Sequence, residues 1–221
     1  MNILDINEID VDNSFFHFTL EDNLESINKN GLIPVIGNNA ANLERTPKIF
    51  FSAGASGTLQ IIDAWIRWRL FKSVKNNNIH DYKNEFITGK GLTSELIETT
   101  FIEFYDYIKN CSYLKLDLEE NIDFSLDDID EIKAYFNKDE MLKKMYGPYS
   151  NINSSKMEKW NMHTFSNHTI SPTKINIIKC NESFSALDII KELSTRYPQE
   201  NLTYLNSFLE YIKEFENTRS Y

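Results

Sequence analysis

The sequence has little of what marks the specialised protein classes. Its 221 residues include 2 cysteines, 7 glycines and 5 prolines. Such a low glycine and proline content excludes collagen-like and low-complexity chains. Cys111 and Cys180 form no CxxC pair, so the sequence indicates neither a disulfide framework nor a thiolate metal site. No apolar run approaches the roughly 18 residues of a membrane-spanning helix, and we therefore expect a globular protein without membrane segments.

Positive charge is also scarce. The chain has 23 lysines and arginines against 33 acidic residues, a net charge of −10. Because nucleic-acid backbones are bound through clustered lysine and arginine, an extended nucleic-acid footprint is disfavoured. Residues 117–140 hold ten acidic residues and two lysines, a net charge of −8. This stretch is typical of a solvated surface, and it would also suit a basic protein partner.

The amino terminus has no secretory signature. MNILDINEID is acidic where a signal peptide would be basic and then apolar. Together with the scarcity of cysteine, this predicts a cytoplasmic location.

Hydrophobic periodicity predicts strands towards both ends of the chain and helices in the middle. Strands are predicted at residues 15–19, 48–52, 157–165 and 174–180, and helices at 20–30, 58–72, 94–110, 185–194 and from 198 onward. Gly31 is expected to end the first helix, and Ser185 with Asp188 three residues later to form a capping box at the start of the helix at 185–194. Residues 76–147 are interpreted as a helical insertion or subdomain, which contains the helix at 94–110 and a second helix that ends near Gly147-Pro148. The sequence therefore predicts a single α+β domain whose sheet is assembled from both ends of the chain.

The most informative stretch is Phe16-His17-Phe18-Thr19, followed by Asn23-Leu24-Glu25-Ser26-Ile27 and Gly31-Leu32-Ile33-Pro34. Alternation along a strand would place both phenylalanines on the core face and His17 and Thr19 together on the other. A ring nitrogen and a hydroxyl would then point into the same space. A His-x-Thr pair on a half-exposed strand is also common on ordinary surfaces, so spacing alone does not decide its role.

These motifs, with the later Ile49-Phe50-Phe51-Ser52, resemble the amino-terminal half of the ADP-ribosyltransferase superfold. The resemblance is to its histidine-type branch, which includes poly-ADP-ribosyltransferases and DNA-targeting ADP-ribosyltransferase toxins. It covers about residues 14–57. It implies a small antiparallel split sheet with a helical insertion, and NAD as the substrate that supplies ADP-ribose to a protein or small-molecule acceptor.

The resemblance also implies roles for individual residues. His17 would contact the adenosine ribose of NAD or a polar edge beside it, and Thr19 and Ser52 would line the nicotinamide side. Arg45 would reach the pyrophosphate, since a guanidinium fork suits phosphate oxygens. Glu158 would be the catalytic carboxylate that stabilises an oxocarbenium-like state. Lys156 stands where many members have Gln or Glu, which leaves the acceptor unassigned.

Other functions remain open at this level. Removal of a 2′-phosphate from RNA by a relative of the same superfold would need several cationic side chains, of which Arg45 is the obvious candidate. A metal site is disfavoured because His17, His163 and His168 show no metal-ligand spacing. The alternative from another class is a non-catalytic interaction protein of a bacterial defence, anti-defence or mobile-element system. The acidic stretch at 117–140 would then be its docking surface.

Overall fold

The structure is a computed structural model that describes residues 1–35, 47–73, 93–118, 125–126 and 164–219. It has an α+β fold, as the sequence predicts. The strands are β1 Asn2–Asp5, β2 Phe15–Leu20, β3 Ile49–Ala53, β4 Cys111–Leu116, β5 Ser125–Leu126, β6 Thr164–Ser166 and β7 Ile175–Lys179. The helices are α1 Leu24–Asn30, α2 Gly54–Ser73, α3 Ser94–Lys109, α4 Ala186–Arg196 and α5 Thr203–Arg219.

The sheet is mixed, with the order β1-β7-β4-β2-β3-β6-β5. β1 pairs with β7 in parallel, whereas the other neighbouring strands pair antiparallel. The expectation of a purely antiparallel sheet is therefore wrong at this edge. Strands from the two ends of the chain do meet there, because β1 and β7 come from opposite ends of the sequence.

Both faces of the sheet are covered. On one side, which we call the helical face, α2, α3, α4 and α5 pack against Phe16, Tyr113 and Ile178 of the sheet. On the other side, which we call the α1 face, Ile27 of α1 packs with Leu114. Since successive side chains of a strand point to opposite faces, the central strands need apolar residues at consecutive positions.

The central strand β4 corrects the predicted organisation. The sequence assigns residues 76–147 to a helical insertion, and α3 within it matches the predicted helix at 94–110. However, Cys111–Leu116 pairs with β2 on one side and β7 on the other, and five of its six residues are buried. Helix α3 and strand β4 are thus integral to the domain core. Most of the remaining range, including the second helix predicted to end near 147, lies outside the described residues.

Two local sequence signals act as predicted. Gly31 ends α1 at a positive φ of +78°, and its N–H donates to the Ile27 carbonyl at 2.8 Å. Ser185 caps α4 by accepting a hydrogen bond from the Leu187 N–H at 3.3 Å. Asp188 does not complete a capping box, because its carboxylate instead accepts a hydrogen bond from the Ser183 hydroxyl at 2.5 Å.

Within the described ranges, no helix combines the length and the hydrophobicity that crossing a membrane requires.

Candidate functional site

The candidate site lies where strands β2 and β3 part. β2 pairs with β4 along all six of its residues, but it pairs with β3 only at Phe15↔Ala53 and Phe16↔Ser52. On its other edge, β3 pairs with β6 from Ile49 to Phe51. The two strands therefore separate after two ladder positions. We call this place the β2–β3 junction.

His17 is the first residue of β2 beyond the shared ladder. Its Nδ1 lies 2.8 Å from the carbonyl oxygen of Phe50 on β3. A carbonyl oxygen only accepts hydrogen bonds, so Nδ1 carries the proton in this contact. Burial lowers the pKa of His17 below its ordinary value, and the Phe50 carbonyl opposes this by favouring the protonated ring. The imidazole is therefore neutral near pH 7, with its donor fixed on Nδ1.

Thr19 lies on the same face of β2 as His17, which is the α1 face. Its side chain is buried, and its Oγ1 accepts a hydrogen bond from Asn23 Nδ2 at 3.2 Å. Asn23 belongs to the short 3₁₀ turn of Glu21–Asn23 that leads into α1. The structure thus brings His17 and Thr19 together, as alternation along the strand predicts.

Ser112 is a polar neighbour that the sequence did not single out. It is the ladder partner of Thr19 on β4, so both side chains point to the α1 face. Ser112 is fully buried, and its hydroxyl has no hydrogen-bond partner among the residues described. Its position follows from β4 being central, which the sequence reasoning missed.

Ser52 lies on the opposite face of the sheet from His17. It is the ladder partner of Phe16, whose side chain belongs to the core of the helical face. Its hydroxyl lies 2.8 Å from Thr58 Oγ1, which in turn lies 2.7 Å from the Tyr113 hydroxyl. The prediction that Ser52 lines the same pocket as His17 and Thr19 is therefore not met, because ladder pairing directs Ser52 into the core beneath α2.

The hydroxyl network around Ser52 is closed within the core. Thr58 donates to the Gly54 carbonyl at 3.0 Å, and Ser52 has a second acceptor in the Phe16 carbonyl at 3.4 Å. Each of Ser52, Thr58 and Tyr113 is at most 2% exposed. Burial raises the pKa of Tyr113, so this phenol stays a neutral donor. These hydroxyls hold α2 on the sheet.

Arg45 and Glu158 both lie outside the described residues. Lys48 lies three residues after Arg45 and two residues before Phe50. Its backbone N–H donates to the Val35 carbonyl at 3.2 Å. Glu158 precedes Thr164, which pairs with Phe51 of β3.

The acidic stretch is described only at its edges. Asp117 follows β4, forms an ion pair with Lys115 and accepts a hydrogen bond from Asn176 Nδ2 at 2.6 Å. The first acidic residue is thus engaged with the sheet. The other acidic residues of 117–140 lie outside the described ranges.

A concave region lies away from the junction, beside the turn after β7. It has a volume of about 720 Å³ and is lined by residues that include Cys180, Ser183, Asp188 and Lys191. Asp188 accepts from Ser183, and Lys191 forms an ion pair with Glu216 at 2.7 Å. Burial raises the pKa of the Cys180 thiol, and nearby carboxylates raise it further. This thiol is therefore neutral and unreactive near pH 7.

The other cysteine is equally inert. Burial raises the pKa of Cys111 to about 11. In the part of the chain that the structure covers, no group of three or more His, Cys, Asp or Glu side chains could hold a metal ion.

Comparison with known proteins adds no assignment. The chain matches no protein-family model, and searches of curated proteins and of solved structures found no match to it.

Proposed function

We propose that this protein binds NAD at the β2–β3 junction and acts as an ADP-ribosyltransferase-like enzyme. The single observation that carries the proposal is the placement of His17 and Thr19 on one face of β2, at the point where β2 leaves β3. There β2 places a ring nitrogen and a hydroxyl on one face, beyond the last residue that pairs with β3. Of the motifs that carry the resemblance to the histidine-type transferases, this is the one on which the proposed site is built.

The neighbouring chain segments support this placement. Val35 and Lys48, which stand on either side of Arg45 in the sequence, pair with each other next to β3. The guanidinium of Arg45 is suited to the pyrophosphate of a dinucleotide. β6 lies directly beside β3, and Glu158 precedes the first residue of β6 by six positions in the sequence.

The proposed reaction breaks the bond between nicotinamide and the anomeric carbon of its ribose. Nicotinamide leaves with the bonding electron pair, and the anomeric carbon passes through an oxocarbenium-like state. An acceptor nucleophile then bonds to that carbon and loses its proton to water. The Glu158 carboxylate would hold a ribose hydroxyl and stabilise the developing positive charge. Ser52 takes no part, because its hydroxyl is used within the core.

The test is nicotinamide release from labelled NAD, combined with calorimetric titration of NAD. Wild-type protein is compared with His17→Ala and Glu158→Gln, and His168→Ala serves as the matched control because His168 is an exposed histidine. We expect His17→Ala to weaken binding and Glu158→Gln to abolish release while binding persists. Loss of a buried hydrogen bond of this kind typically weakens binding about tenfold.

The same experiment separates the proposal from its alternative. Turnover that survives both substitutions would refute the site. If wild-type protein does not bind NAD at all, the enzyme proposal fails. The non-catalytic interaction protein, docking through 117–140, would then be favoured.

A further inference from the structure

The contact between His17 and Phe50 fixes more than the position of the ring. The Phe50 carbonyl requires the proton on Nδ1, at a distance of 2.8 Å. In a neutral imidazole the other nitrogen, Nε2, is then an acceptor. Nε2 makes no hydrogen bond within the described part of the chain, and the ring is only half-buried. The site therefore has an unused acceptor with a defined direction.

We propose that His17 acts as a fixed-tautomer acceptor for an N–H donor of the ligand, so that ligand binding is lost when the imidazole is protonated. This inference rests on the proposed function for the identity of the ligand. Protonation turns Nε2 into a donor, while the Nδ1 contact to Phe50 is kept. Acid would then disable recognition without dismantling the junction.

The surroundings of the ring favour the neutral form. Burial is the larger influence on the pKa of His17, and the Phe50 carbonyl is the opposing one. β2 supplies Thr19 beside it, and the ladder partner on β4 is the apolar Leu114. Lys48, the residue before β3, holds its ammonium 5.9 Å from the centre of the Phe50 ring, and alternation along β3 directs that ring to the helical face, away from His17.

The first measurement concerns the free protein and needs no ligand. Nitrogen NMR of the imidazole side chains distinguishes the two neutral tautomers, and the His17→Gln spectrum assigns the His17 signals. We expect the Nδ1–H tautomer at neutral pH and a protonation midpoint below the ordinary value for histidine. The opposite tautomer would overturn the inference.

The second measurement is the affinity for NAD from about pH 8 to about pH 5, the range in which histidine changes charge. If only the neutral ring binds, the apparent dissociation constant rises by up to about tenfold per pH unit below the His17 midpoint. His17→Gln is the matched variant, since its amide offers a donor to Phe50 and an acceptor to the ligand without titrating. We expect its affinity to be weaker but flat with pH.

The outcomes distinguish the two proposals. NAD binding that is equally tight at both ends of this pH range refutes the histidine inference and leaves the proposed function intact. The same refutation follows if His17→Gln loses affinity in acid as steeply as the wild type. Absence of NAD binding at every pH removes both proposals.

Discussion

Thr58 is the centre of the buried hydroxyl network, and its removal should be more harmful than removal of either neighbour. It is fully buried, it receives a hydrogen bond from Tyr113 at 2.7 Å, and it contacts Ser52 at 2.8 Å. Thr58→Val keeps the shape of the side chain but removes the acceptor for Tyr113. Ser52 keeps the Phe16 carbonyl at 3.4 Å. The Tyr113 hydroxyl is then left without a partner in the core.

The magnitudes follow from this difference. Tyr113→Phe removes one hydroxyl and leaves Thr58 bonded to Gly54 and Ser52, so we expect a loss of about 0.5–1.5 kcal/mol in the free energy of unfolding. Thr58→Val also strands a buried donor, which adds about 1–3 kcal/mol. The double variant has no stranded phenol. It should therefore be more stable than Thr58→Val alone, by about 1 kcal/mol.

The measurement is urea denaturation at pH 7, followed by circular dichroism, for the wild type, the two single variants and the double variant. The decisive result is whether Tyr113→Phe raises or lowers the stability of the Thr58→Val variant. If adding Tyr113→Phe to the Thr58→Val background lowers stability further, the phenol was not stranded. The network would then not bind α2 to the sheet in the way described.

Three further predictions test the turn, the helix contact and the site. Gly31→Ala should lose at least about 2 kcal/mol of unfolding free energy in urea denaturation, because the backbone geometry at this position suits only glycine and the new Cβ would lie 2.1 Å from the Ile170 carbonyl oxygen. The control Gly57→Ala, whose Cβ would have its nearest contact at 3.9 Å, should be neutral or stabilising. Equal losses of stability in the two variants would contradict this prediction. Asp63 accepts two N–H groups at the start of α5, at 2.9 Å each, so Asp63→Ala should lose about 1–3 kcal/mol of unfolding free energy. Because burial raises the pKa of Asp63, the wild type should lose stability relative to Asp63→Asn as the pH rises from about 4 through the folded-state pKa. Denaturation series at pH 4 and pH 7 that show no such change would refute the assignment. Ser52→Ala should lose about 1 kcal/mol of unfolding free energy and leave the NAD affinity measured by calorimetry unchanged. Weakened NAD binding by a folded Ser52→Ala variant would show that Ser52 contributes to the ligand site.

Local elements follow from the amino-acid sequence alone where their signals lie within a few residues. The aromatic alternation in Phe15–Leu20 predicts strand β2 and the common face of His17 and Thr19, and the structure confirms both. Gly31 and Ser185 mark a helix end and a helix start because cap geometry depends only on neighbouring residues. The α+β class follows from the same periodicities. NAD as the ligand and the transferase activity stay predictions.

The neighbours of each strand, and the faces that they share, are set by packing across the whole domain. β4 is a central strand whose residues are buried from both faces of the sheet. The sequence did not predict it because a short apolar run of this kind looks the same in a buried strand and in a buried helix segment. Ser52 points away from His17 because the register pairs it with Phe16, a residue 36 positions distant. The Nδ1 contact of His17 likewise joins residues 33 positions apart. Strand register is set by the packing of the whole sheet, so no local pattern around Ser52 or His17 specifies it.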